Sequence, residues 1–324
     1  MRQGDLVTVF GGSGFLGRHV VRALAKQGKR VRVAMRRPHV GADLRVLGDV
    51  GQIQLVQANV RFSDSVARAL EDADAAVNLV GVLHDGGKQS FDAMHVDAAR
   101  TIAEAAAAKG IGRLVQVSAI GAAPKGARYA RTKYAGERAV LDAVPTAAIL
   151  RPSIIFGPGD GFFNRFAQMA TVSPFLPLIG GGKTKFQPIF AGDVADAVCA
   201  ALDREDARGR TYELGGPRIY TFKELLDYIM AETDRKRLYA PLPFVVAQPL
   251  GLLMGAGFKL IPFIDPPLTG DQVTMLARDN VVSADAATIA DLGVTNLESV
   301  EAIVPTYLWR FRPYGQFQTK QNPT

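Results

Sequence analysis

Short apolar runs alternate with segments of helical periodicity along the first half of the chain. The run Val7–Phe10 is followed by apolar side chains at Leu16, Val20 and Leu24, which lie on one face of a helix. Further apolar runs share this alternation and predict strands at 30–35, 52–56, 75–80, 114–118 and 147–150. Strands that alternate with helices predict an α/β fold, a Rossmann-type doubly wound parallel sheet with helices on both faces.

The predicted helices have recognisable ends. The first helix stops at Gly28, Ser63 is expected to cap the next, and an alanine-rich helix over 91–109 closes at Gly110. A further helix is predicted over 128–141. Ligands of such sheets lie beyond the carboxyl ends of the strands, so the loops that follow the strands are expected to surround one crevice.

The second half of the chain is less periodic and predicts a smaller, mostly helical region. Residues 175–185 are rich in proline and glycine and predict a loop, whereas Asp193 is expected to begin a helix and Thr221 to cap another. The expected organisation is a dinucleotide-binding domain over 1–160 with returns at about 186–214, a C-terminal region over 161–185 and 215–312, and a flexible tail over 313–324.

Three glycines, Gly11, Gly14 and Gly17, follow the first strand at spacings of three. The first permits a sharp turn, the second lets the backbone approach a phosphate without an intervening Cβ, and the third allows the helix to pack close to the strand. Free N–H groups and the positive end of the helix dipole then face an anion. A strand, this triplet and a helix in succession predict a site for the pyrophosphate of a dinucleotide.

The charges near the second strand indicate which dinucleotide binds. Sites for NAD usually carry an acid at the end of this strand to hold the ribose hydroxyls, but the chain has no Asp or Glu between Asp5 and Asp43. The second strand instead ends on Arg36 and Arg37, whose planar guanidinium groups suit a 2′-phosphate. We therefore expect NADPH in preference to NADH, although Arg32 and Arg37 could be solvated surface charges.

Composition narrows the class of protein. The 324 residues are 48% hydrophobic, which is ample for a large core. The single Cys199 excludes an intrachain disulfide and falls in an apolar helical pattern, and the four histidines show no metal-binding spacing. The first strand begins by about residue 6, so no signal or transit peptide is expected. Much of the +7 net charge lies within 18–37 without a nucleic-acid motif, so we expect no nucleic-acid partner.

Tyr129 and Lys133 are the strongest candidates for chemistry. They are four residues apart on a predicted helix, so their side chains share a face. A nearby ammonium lowers the pKa of a tyrosine and makes proton transfer to a carbonyl feasible. Such a pair also occurs by chance on surface helices, but its position after the fifth strand of a glycine-triplet fold favours a catalytic role.

These motifs together resemble a known family. Gly11-x-x-Gly14-x-x-Gly17, Asn59-Val60, Tyr129-x-x-x-Lys133 and the run from Arg151 to Pro158 are similar to those of extended short-chain dehydrogenase/reductases. The likeness narrows to an atypical branch through five later blocks, at 129–137, 162–166, 187–194, 212–217 and 279–282. That branch contains the NADPH-binding accessory subunit of respiratory complex I and its bacterial relatives, and the resemblance covers about residues 5 to 315.

The resemblance implies a tightly bound NADPH that serves structure or assembly, with electrons passing through other subunits. It implies roles for residues that match the family's motifs. Around the pyrophosphate they are Gly11, Ser13, Gly14, Phe15, Leu16 and Gly17; at the 2′-phosphate Arg36 and Arg37; beside the adenine Asn59 and Val60; on the ribose side Leu79, Val80 and Gly81; and at the nicotinamide half Lys133, Pro152 and Ile155.

Two positions depart from the active members of the family. Those enzymes usually place Ser or Thr directly after the serine that ends the fifth strand, but here Ala119 follows Ser118. Nucleotide-sugar enzymes commonly carry Asn where this chain has Ile154. Loss of one electrostatic donor can cost about two or more orders of magnitude in rate. The catalytic set of Tyr129, Lys133 and Ser118 is therefore incomplete, and we expect little or no independent turnover.

An apolar stretch over 238–268 is interrupted by six prolines and is too short between them to span a bilayer. Its large apolar residues could form a small helical cap that buries them. Alternatively they form a patch for a membrane surface or a partner protein, with Arg235, Lys236, Arg237 and Lys259 nearby for acidic headgroups.

Three functions remain open from the sequence. The first is a non-turnover NADPH-binding subunit of complex I, peripheral on the inner face of the bacterial cytoplasmic membrane. The second is an independent NADPH-dependent reductase of a lipophilic carbonyl or quinone-related substrate that uses Tyr129 and Lys133. The third is a sensor of the NADP(H) state without catalysis. The first is preferred because of the resemblance and Ala119.

Overall fold

The computed structural model describes residues 4–85, 87, 89–258 and 270–317, without the side chains of 252–258. The described chain forms two compact units. The first comprises Met1–Pro152, Ala191–Gly215 and Val282–Asn296, and the second comprises Ser153–Phe190, Gly216–Val281 and Leu297–Thr324. Residues 282–296 thus belong to the first unit, whereas the sequence analysis assigned them to the C-terminal region.

The strands have the following bounds: β1 Leu6–Phe10, β2 Arg30–Met35, β3 Ile53–Gln57, β4 Ala75–Asn78, β5 Leu114–Val117, β6 Ala148–Pro152, β7 Ile155–Phe156, β8 Phe175–Ile179, β9 Lys185–Phe186, β10 Ile189–Phe190, β11 Thr211–Leu214, β12 Tyr220–Thr221, β13 Leu238–Leu242 and β14 Ala287–Thr288.

The helices have the following bounds: α1 Phe15–Lys26, α2 Ser63–Ala69, α3 Ala98–Ala108, α4 Arg128–Ala143, α5 Phe163–Val172, α6 Ala191–Asp203, α7 Phe222–Glu232, α8 Phe244–Phe258, α9 Gly270–Leu276, α10 Val300–Ile303 and α11 Pro305–Leu308. A π-helical turn over Asp92–Asp97 leads into α3, and a 3-10 segment over Pro38–Leu47 follows β2.

The first unit is built on an eight-stranded sheet in the order β14-β11-β6-β5-β4-β1-β2-β3. All its neighbouring strands pair in parallel, so the predicted doubly wound parallel sheet is confirmed. Every residue of β1 is buried, as expected for a central strand covered by helices on both faces. The chain order reverses between β1 and β4, and the carboxyl ends of the strands on either side of that point carry the candidate site.

The structure corrects two local predictions. Ser63 is the first residue of α2 rather than its cap, and the hydroxyl of Ser65 instead accepts a hydrogen bond from the Asn59 amide. The segment 175–185 is not simply a loop, because β8 pairs in parallel with β13 and buries Leu176, Leu178 and Ile179. Pro177 is tolerated within β8 because the sheet has only two strands, so one edge of β8 needs no backbone donor.

The second unit is organised around aromatic rings. Phe156, Phe163 and Phe222 are fully buried, and Phe156 and Phe163 meet edge to face with ring centroids 5.9 Å apart. The predicted cap of α7 is confirmed, since the Thr221 hydroxyl accepts from the Glu224 amide and the Glu224 carboxylate accepts from the Thr221 amide.

Two predicted segments lie partly outside the described residues. Within 238–268 the structure describes β13 and α8, but residues 259–268 are not described. The expected tail over 313–324 is described only to Phe317, where Gly315–Phe317 forms a 3-10 turn. Among the described residues, no helix has the length and hydrophobicity that a membrane-spanning segment requires.

Candidate dinucleotide and catalytic site

The glycine turn after β1 has no room for side chains. A Cβ on Gly17 would lie 2.3 Å from the carbonyl oxygen of Gly11, and a Cβ on Gly12 would lie 2.9 Å from Val33. Gly11 adopts a φ of +81° and its missing Cβ would press on the Leu79 backbone at 3.1 Å. The sequence analysis did not assign a role to Gly12. Glycine is needed there because the residue packs against Val33, and the spacing of the glycines does not indicate that contact.

The first turn of α1 directly follows this glycine turn, Gly11–Gly14, which we call the glycine cradle. Its cap position is Gly14, which has no side chain, so no side-chain hydrogen bond caps the helix there. Ser13, Phe15 and Leu16 are half-buried around it. Uncapped amides at a helix N-terminus form an anion site by geometry and by dipole.

The arginines at the end of β2 differ in their surroundings. Arg36 and Arg37 are exposed. Arg32 is not a solvated charge, because its guanidinium donates to Gln54 Oε1 at 2.9 Å and to the Ala69 carbonyl at 3.1 Å. Arg36 and Arg37, directly after this strand, are therefore the exposed candidates for a phosphate.

Asp43 is an acid that the sequence did not place at this edge. Its carboxylate lies 2.5 Å from a guanidinium nitrogen of Arg18 on the first turn of α1. The hydrogen bond from Arg18 lowers the pKa of Asp43. The 3-10 segment brings Asp43 there because Leu44 is fully buried and Gly41 packs so closely on Met35 that a Cβ would lie 2.6 Å from its methyl carbon. No local sequence pattern indicates this contact, because Arg18 and Asp43 are 25 residues apart in the chain.

The loops after β3 and β4 hold the next candidates. Asn59 Oδ1 accepts from the Arg61 amide at 3.2 Å, and Val60 is half-buried. After β4, Leu79 and Val80 are half-buried and Gly81 is exposed. A Cβ on Gly81 would lie 3.0 Å from Lys133 Nζ, so this glycine lets the loop approach the lysine.

The structure brings Tyr129 and Lys133 together on α4, as predicted. Lys133 Nζ lies 5.9 Å from the centroid of the Tyr129 ring. Lys133 is 7% exposed, and its ammonium donates a long hydrogen bond of 3.5 Å to the Val117 carbonyl. Burial lowers the pKa of Lys133 to about 8, and the charge of Glu137 opposes that shift. The ammonium is thus buried with little hydrogen bonding.

Ser118 is the second under-bonded group of this site. Its Oγ is buried and has no hydrogen-bond partner among the described residues, whereas its amide donates to the Leu150 carbonyl at 2.7 Å. Ser118 directly follows Val117, whose carbonyl faces Lys133. Buried polar groups are normally hydrogen-bonded, so these two call for a polar ligand.

An ion pair between Glu137 and Arg151 lies near Lys133, and the sequence analysis did not predict it. Glu137 is 3% exposed and accepts from Arg151 Nε at 2.9 Å and Nη2 at 2.6 Å. Glu213 lies 3.9 Å from the same guanidinium. The four-residue spacing of Glu137 from Lys133 was the available signal, since it places both on one face of α4.

The remaining predicted residues lie near the end of β6. Pro152 is buried in the first unit and accepts through its carbonyl from the Ile120 amide at 3.0 Å. Ile155 is half-buried in β7 of the second unit, where it pairs with Ile189. The described residues contain no group of three or more His, Cys, Asp or Glu that could hold a metal.

Residues 7–215 match the model of the NAD dependent epimerase/dehydratase family. The chain is 38% identical over 296 residues to subunit 9 of the NADH dehydrogenase (ubiquinone) 1 alpha subcomplex of Arabidopsis thaliana, covering 89% of this chain and 74% of that protein. The Rattus norvegicus subunit of the same name is 34% identical over 315 residues, covering 94% and 82%. A ceramide reductase of Caulobacter vibrioides is 38% identical over 175 residues, 54% of each chain.

Solved structures share the fold. The UDP-glucose 4-epimerase of Thermus thermophilus, in complex with NAD, superposes with a TM-score of 0.69 at 19% identity and covers 95% of this chain and 99% of that one. The dTDP-glucose 4,6-dehydratase of Streptomyces venezuelae, with NAD and TYD bound, gives a TM-score of 0.71 at 18% identity, with 94% and 96% covered. At these identities the similarity is one of fold.

Proposed function

This chain belongs to the NAD dependent epimerase/dehydratase family, and from that premise we propose that it is an NADPH-binding accessory subunit of respiratory complex I with little or no turnover. The observation that carries the complex I assignment is the identity of 34–38% to subunits of NADH dehydrogenase along 89–94% of the chain. A net reduction of a substrate would need the cofactor replaced after each turnover, whereas an assembly role needs it held.

The described residues fit a dinucleotide. The glycine cradle excludes side chains where a pyrophosphate would lie, and the α1 amides have no cap. The buried Ser118 hydroxyl and Lys133 ammonium lack the hydrogen bonds that ribose hydroxyls and a nicotinamide carboxamide would supply. When bound, the nicotinamide ring supplies or accepts a hydride.

We assign the cofactor contacts to the residues predicted from the sequence. The pyrophosphate takes the cradle and first turn, Asn59 and Val60 flank the adenine, and the loop Leu79–Gly81 lines the ribose side. Within the first unit, the nicotinamide half takes Lys133 and Pro152.

The preference for NADPH rests on Arg36 and Arg37. Both are exposed at the end of β2, so their guanidinium groups are accessible to a 2′-phosphate. Arg18 already pairs with Asp43. The carboxylate of Asp43 is therefore paired with an arginine in the ligand-free protein.

Low turnover is inferred from the catalytic groups that the chain retains and from the one that it lacks relative to the active members of the family. A buried Lys133 beside Tyr129 favours the phenolate and prepares a proton transfer. Ala119 provides no hydroxyl to polarise a substrate carbonyl. The site thus holds a cofactor and a proton donor but lacks one donor to the reacting oxygen.

A contact with the inner face of the cytoplasmic membrane is part of the proposal. Val245, Val246 and Leu250 on α8 are exposed, as is Leu238 on β13. Arg235 and Arg237 bond the carbonyls of Phe311 and Ala170, which leaves Lys236 as the exposed cation of this cluster. Apolar side chains beside a lysine suit an anionic lipid surface, while Lys259 lies outside the described residues.

The test is a pull-down of the chain at native levels from membranes of its source, with the bound nucleotide identified. We expect co-purified complex I subunits, a stoichiometric NADPH that is not consumed, and loss of complex I integrity on deletion. Recovery of a free protein without respiratory subunits would defeat the complex I role, whereas recovery without nucleotide would defeat the cofactor role.

An independent reductase of a lipophilic carbonyl is the second candidate. It is favoured by the retained Tyr129 and Lys133 geometry and by the 38% identity to a ceramide reductase over 54% of the chain. This function predicts that Tyr129→Phe abolishes a measurable NADPH oxidation and leaves the Kd for NADPH unchanged. A third role, as a sensor of the NADP(H) state, requires markedly different affinities for NADPH and NADP⁺.

A further inference from the structure

A buried histidine lies beside Tyr129 and Lys133, and none of the roles above uses it. His95 is 2% exposed and sits in the π-helical turn Asp92–Asp97. Its ring stacks on Phe91 with centroids 5.3 Å apart and meets the Tyr129 ring edge to face at 5.2 Å. Single π-helical turns within α-helices occur frequently at functional sites.

The two ring nitrogens join two different elements. Nδ1 lies 3.0 Å from Thr132 Oγ1 on α4, and Nε2 lies 3.1 Å from both the amide nitrogen and the carbonyl oxygen of Val82. The Thr132 hydroxyl donates to the carbonyls of Arg128 and Tyr129, each at 3.0 Å, so its oxygen accepts from Nδ1–H. Nε2 then accepts from the Val82 amide. In the other tautomer Nε2–H donates to the Val82 carbonyl, so the ring links the same elements either way.

The backbone of His95 is also in close contact with α4. A Cβ on Gly136 would lie 2.0 Å from the His95 carbonyl oxygen, so only glycine permits this approach. The loop after β4 reaches the same place, because a Cβ on Gly81 would lie 3.0 Å from Lys133 Nζ and 3.7 Å from His95 Nε2. Three segments therefore converge on one imidazole: the π-helical turn, α4 and the loop at Gly81–Val82.

We propose that His95 is a positioning residue that fixes the Gly81–Val82 loop against the Tyr129 and Lys133 face of α4, and so sets the pocket for the nicotinamide half of the cofactor. This role rests on the proposed dinucleotide binding and deepens it. The adenosine half is held at the opposite end of the site, at Arg36, and does not depend on His95.

The imidazole performs this role in its neutral form. Burial and the nearby charge of Lys133 lower the pKa of His95 to about 3. A neutral ring beside Lys133 provides one donor and one acceptor without adding a second buried cation. The bonds that it makes to Thr132 and Val82 are therefore present throughout the physiological pH range.

The test compares the whole cofactor with its adenosine half. Isothermal titration calorimetry of the full chain measures the Kd for NADPH and for adenosine 2′,5′-bisphosphate in wild type, His95→Leu and His95→Gln. Because the Gly81–Val82 loop would have to be ordered on binding without the imidazole, we expect about a tenfold loss of affinity for NADPH in His95→Leu. Adenosine 2′,5′-bisphosphate should bind as in wild type, and the amide of His95→Gln should recover part of the NADPH affinity.

Arg36→Ala is the reciprocal control, because it should weaken both ligands by the same factor. A His95→Leu protein that loses affinity for both ligands equally, or for neither, would overturn the positioning role. If His95→Leu fails to fold, Thr132→Val removes the Nδ1 partner alone and should weaken NADPH selectively to a smaller extent; its failure to do so would also overturn the proposal. A wild-type protein that binds neither ligand would instead overturn the cofactor assignment, and this inference with it.

Discussion

The two ends of the candidate cofactor site in the first unit are built on opposite principles. At one end Lys133 and Ser118 are buried. The Lys133 ammonium makes one long hydrogen bond, and the Ser118 hydroxyl has no hydrogen-bond partner among the described residues. At the other end Arg36 and Arg37 are exposed. Both ends are suited to a polar ligand, but the first is dehydrated before the ligand arrives and the second is not.

This difference implies that a ligand gains more binding free energy per contact at the buried end than at the exposed end. A buried ammonium destabilises the ligand-free fold, so a ligand that bonds to it gains more than the same contact would give in water. An exposed guanidinium loses little on folding and gains little per contact, and salt screens its field. Changes at the buried end should be large and insensitive to salt, while changes at the exposed end should be small and sensitive to salt.

The largest effect is expected at the turn that joins the two ends. Gly17→Ala places a methyl 2.3 Å from the Gly11 carbonyl oxygen and 2.6 Å from Gly12, where the contacts are backbone and cannot move aside. We expect a loss of about 3 kcal/mol or more in the free energy of unfolding, measured by urea denaturation. Gly112→Ala, whose Cβ would meet only Thr146 Oγ1 at 3.4 Å, should stay close to wild type. Equal stabilities for the two variants would contradict the close packing of the cradle.

Lys133→Met should separate stability from binding. The folded-state pKa of Lys133 is about 8, below its usual 10.5, so at pH 7 the charged form is less favourable in the folded chain than in the unfolded one. Removing it should stabilise the ligand-free protein by about 1–3 kcal/mol and weaken NADPH binding by about tenfold or more. In wild type the stability should rise between pH 8 and 10.5, where only the unfolded chain keeps the proton, and this rise should be missing in the variant.

Lys29→Met is the matched control for that experiment. Lys29 is also buried, but its ammonium lies 3.6 Å from the Asp203 carboxylate, away from the site. We expect this variant to lose stability and to bind NADPH as wild type does. Thermal unfolding with and without NADPH measures both quantities. A Lys133→Met protein that behaves like Lys29→Met would show that the buried ammonium is structural rather than a ligand contact.

His95 gives the buried end a dependence on acid. Its pKa is about 3 in the folded chain and 6.5 as the ordinary value, so the unfolded state binds the proton first as pH falls. Stability contributed by the neutral ring is complete above pH 6.5 and is lost on acidification, by about 3 kcal/mol at pH 4. His95→Gln should remove this component, so that the difference in Tm between wild type and variant shrinks from pH 7 to pH 4. A constant difference would contradict the neutral imidazole.

The smallest effects are expected at the exposed end. Arg36→Ala should weaken NADPH binding by about two- to fivefold at low salt and less at high salt, and leave NADH binding unchanged. Asp43→Asn removes a carboxylate that competes for Arg18, so it should tighten NADPH by about two- to threefold at low salt. Fluorescence titration of both nucleotides measures these changes. Weaker NADH binding in Asp43→Asn would instead show that Asp43 holds a ribose diol, which reverses the preference for NADPH.

Local patterns in the chain were sufficient for the six strands from β1 to β6, but they did not indicate β14. The alternation of apolar runs predicted β2 at its observed bounds, Arg30–Met35, and the Gly11, Gly14 and Gly17 spacing predicted the turn after β1. The four-residue spacing of Tyr129 and Lys133 placed them on one face of α4. These features are set within a few residues, so the chain's local periodicity records them.

The sequence by itself therefore determined the α/β class, the glycine turn and the pairing of tyrosine with lysine, because each depends on short-range spacing and steric allowance. Only the tertiary structure decided which charges are available. In the folded chain Arg18 pairs with Asp43, and Arg32 donates to the Ala69 carbonyl. Glu137 forms an ion pair with Arg151. The tertiary structure also brings His95 from a π-helical turn to Thr132 and Val82. Such contacts join residues far apart in the chain, and their strength depends on burial, which no local pattern encodes.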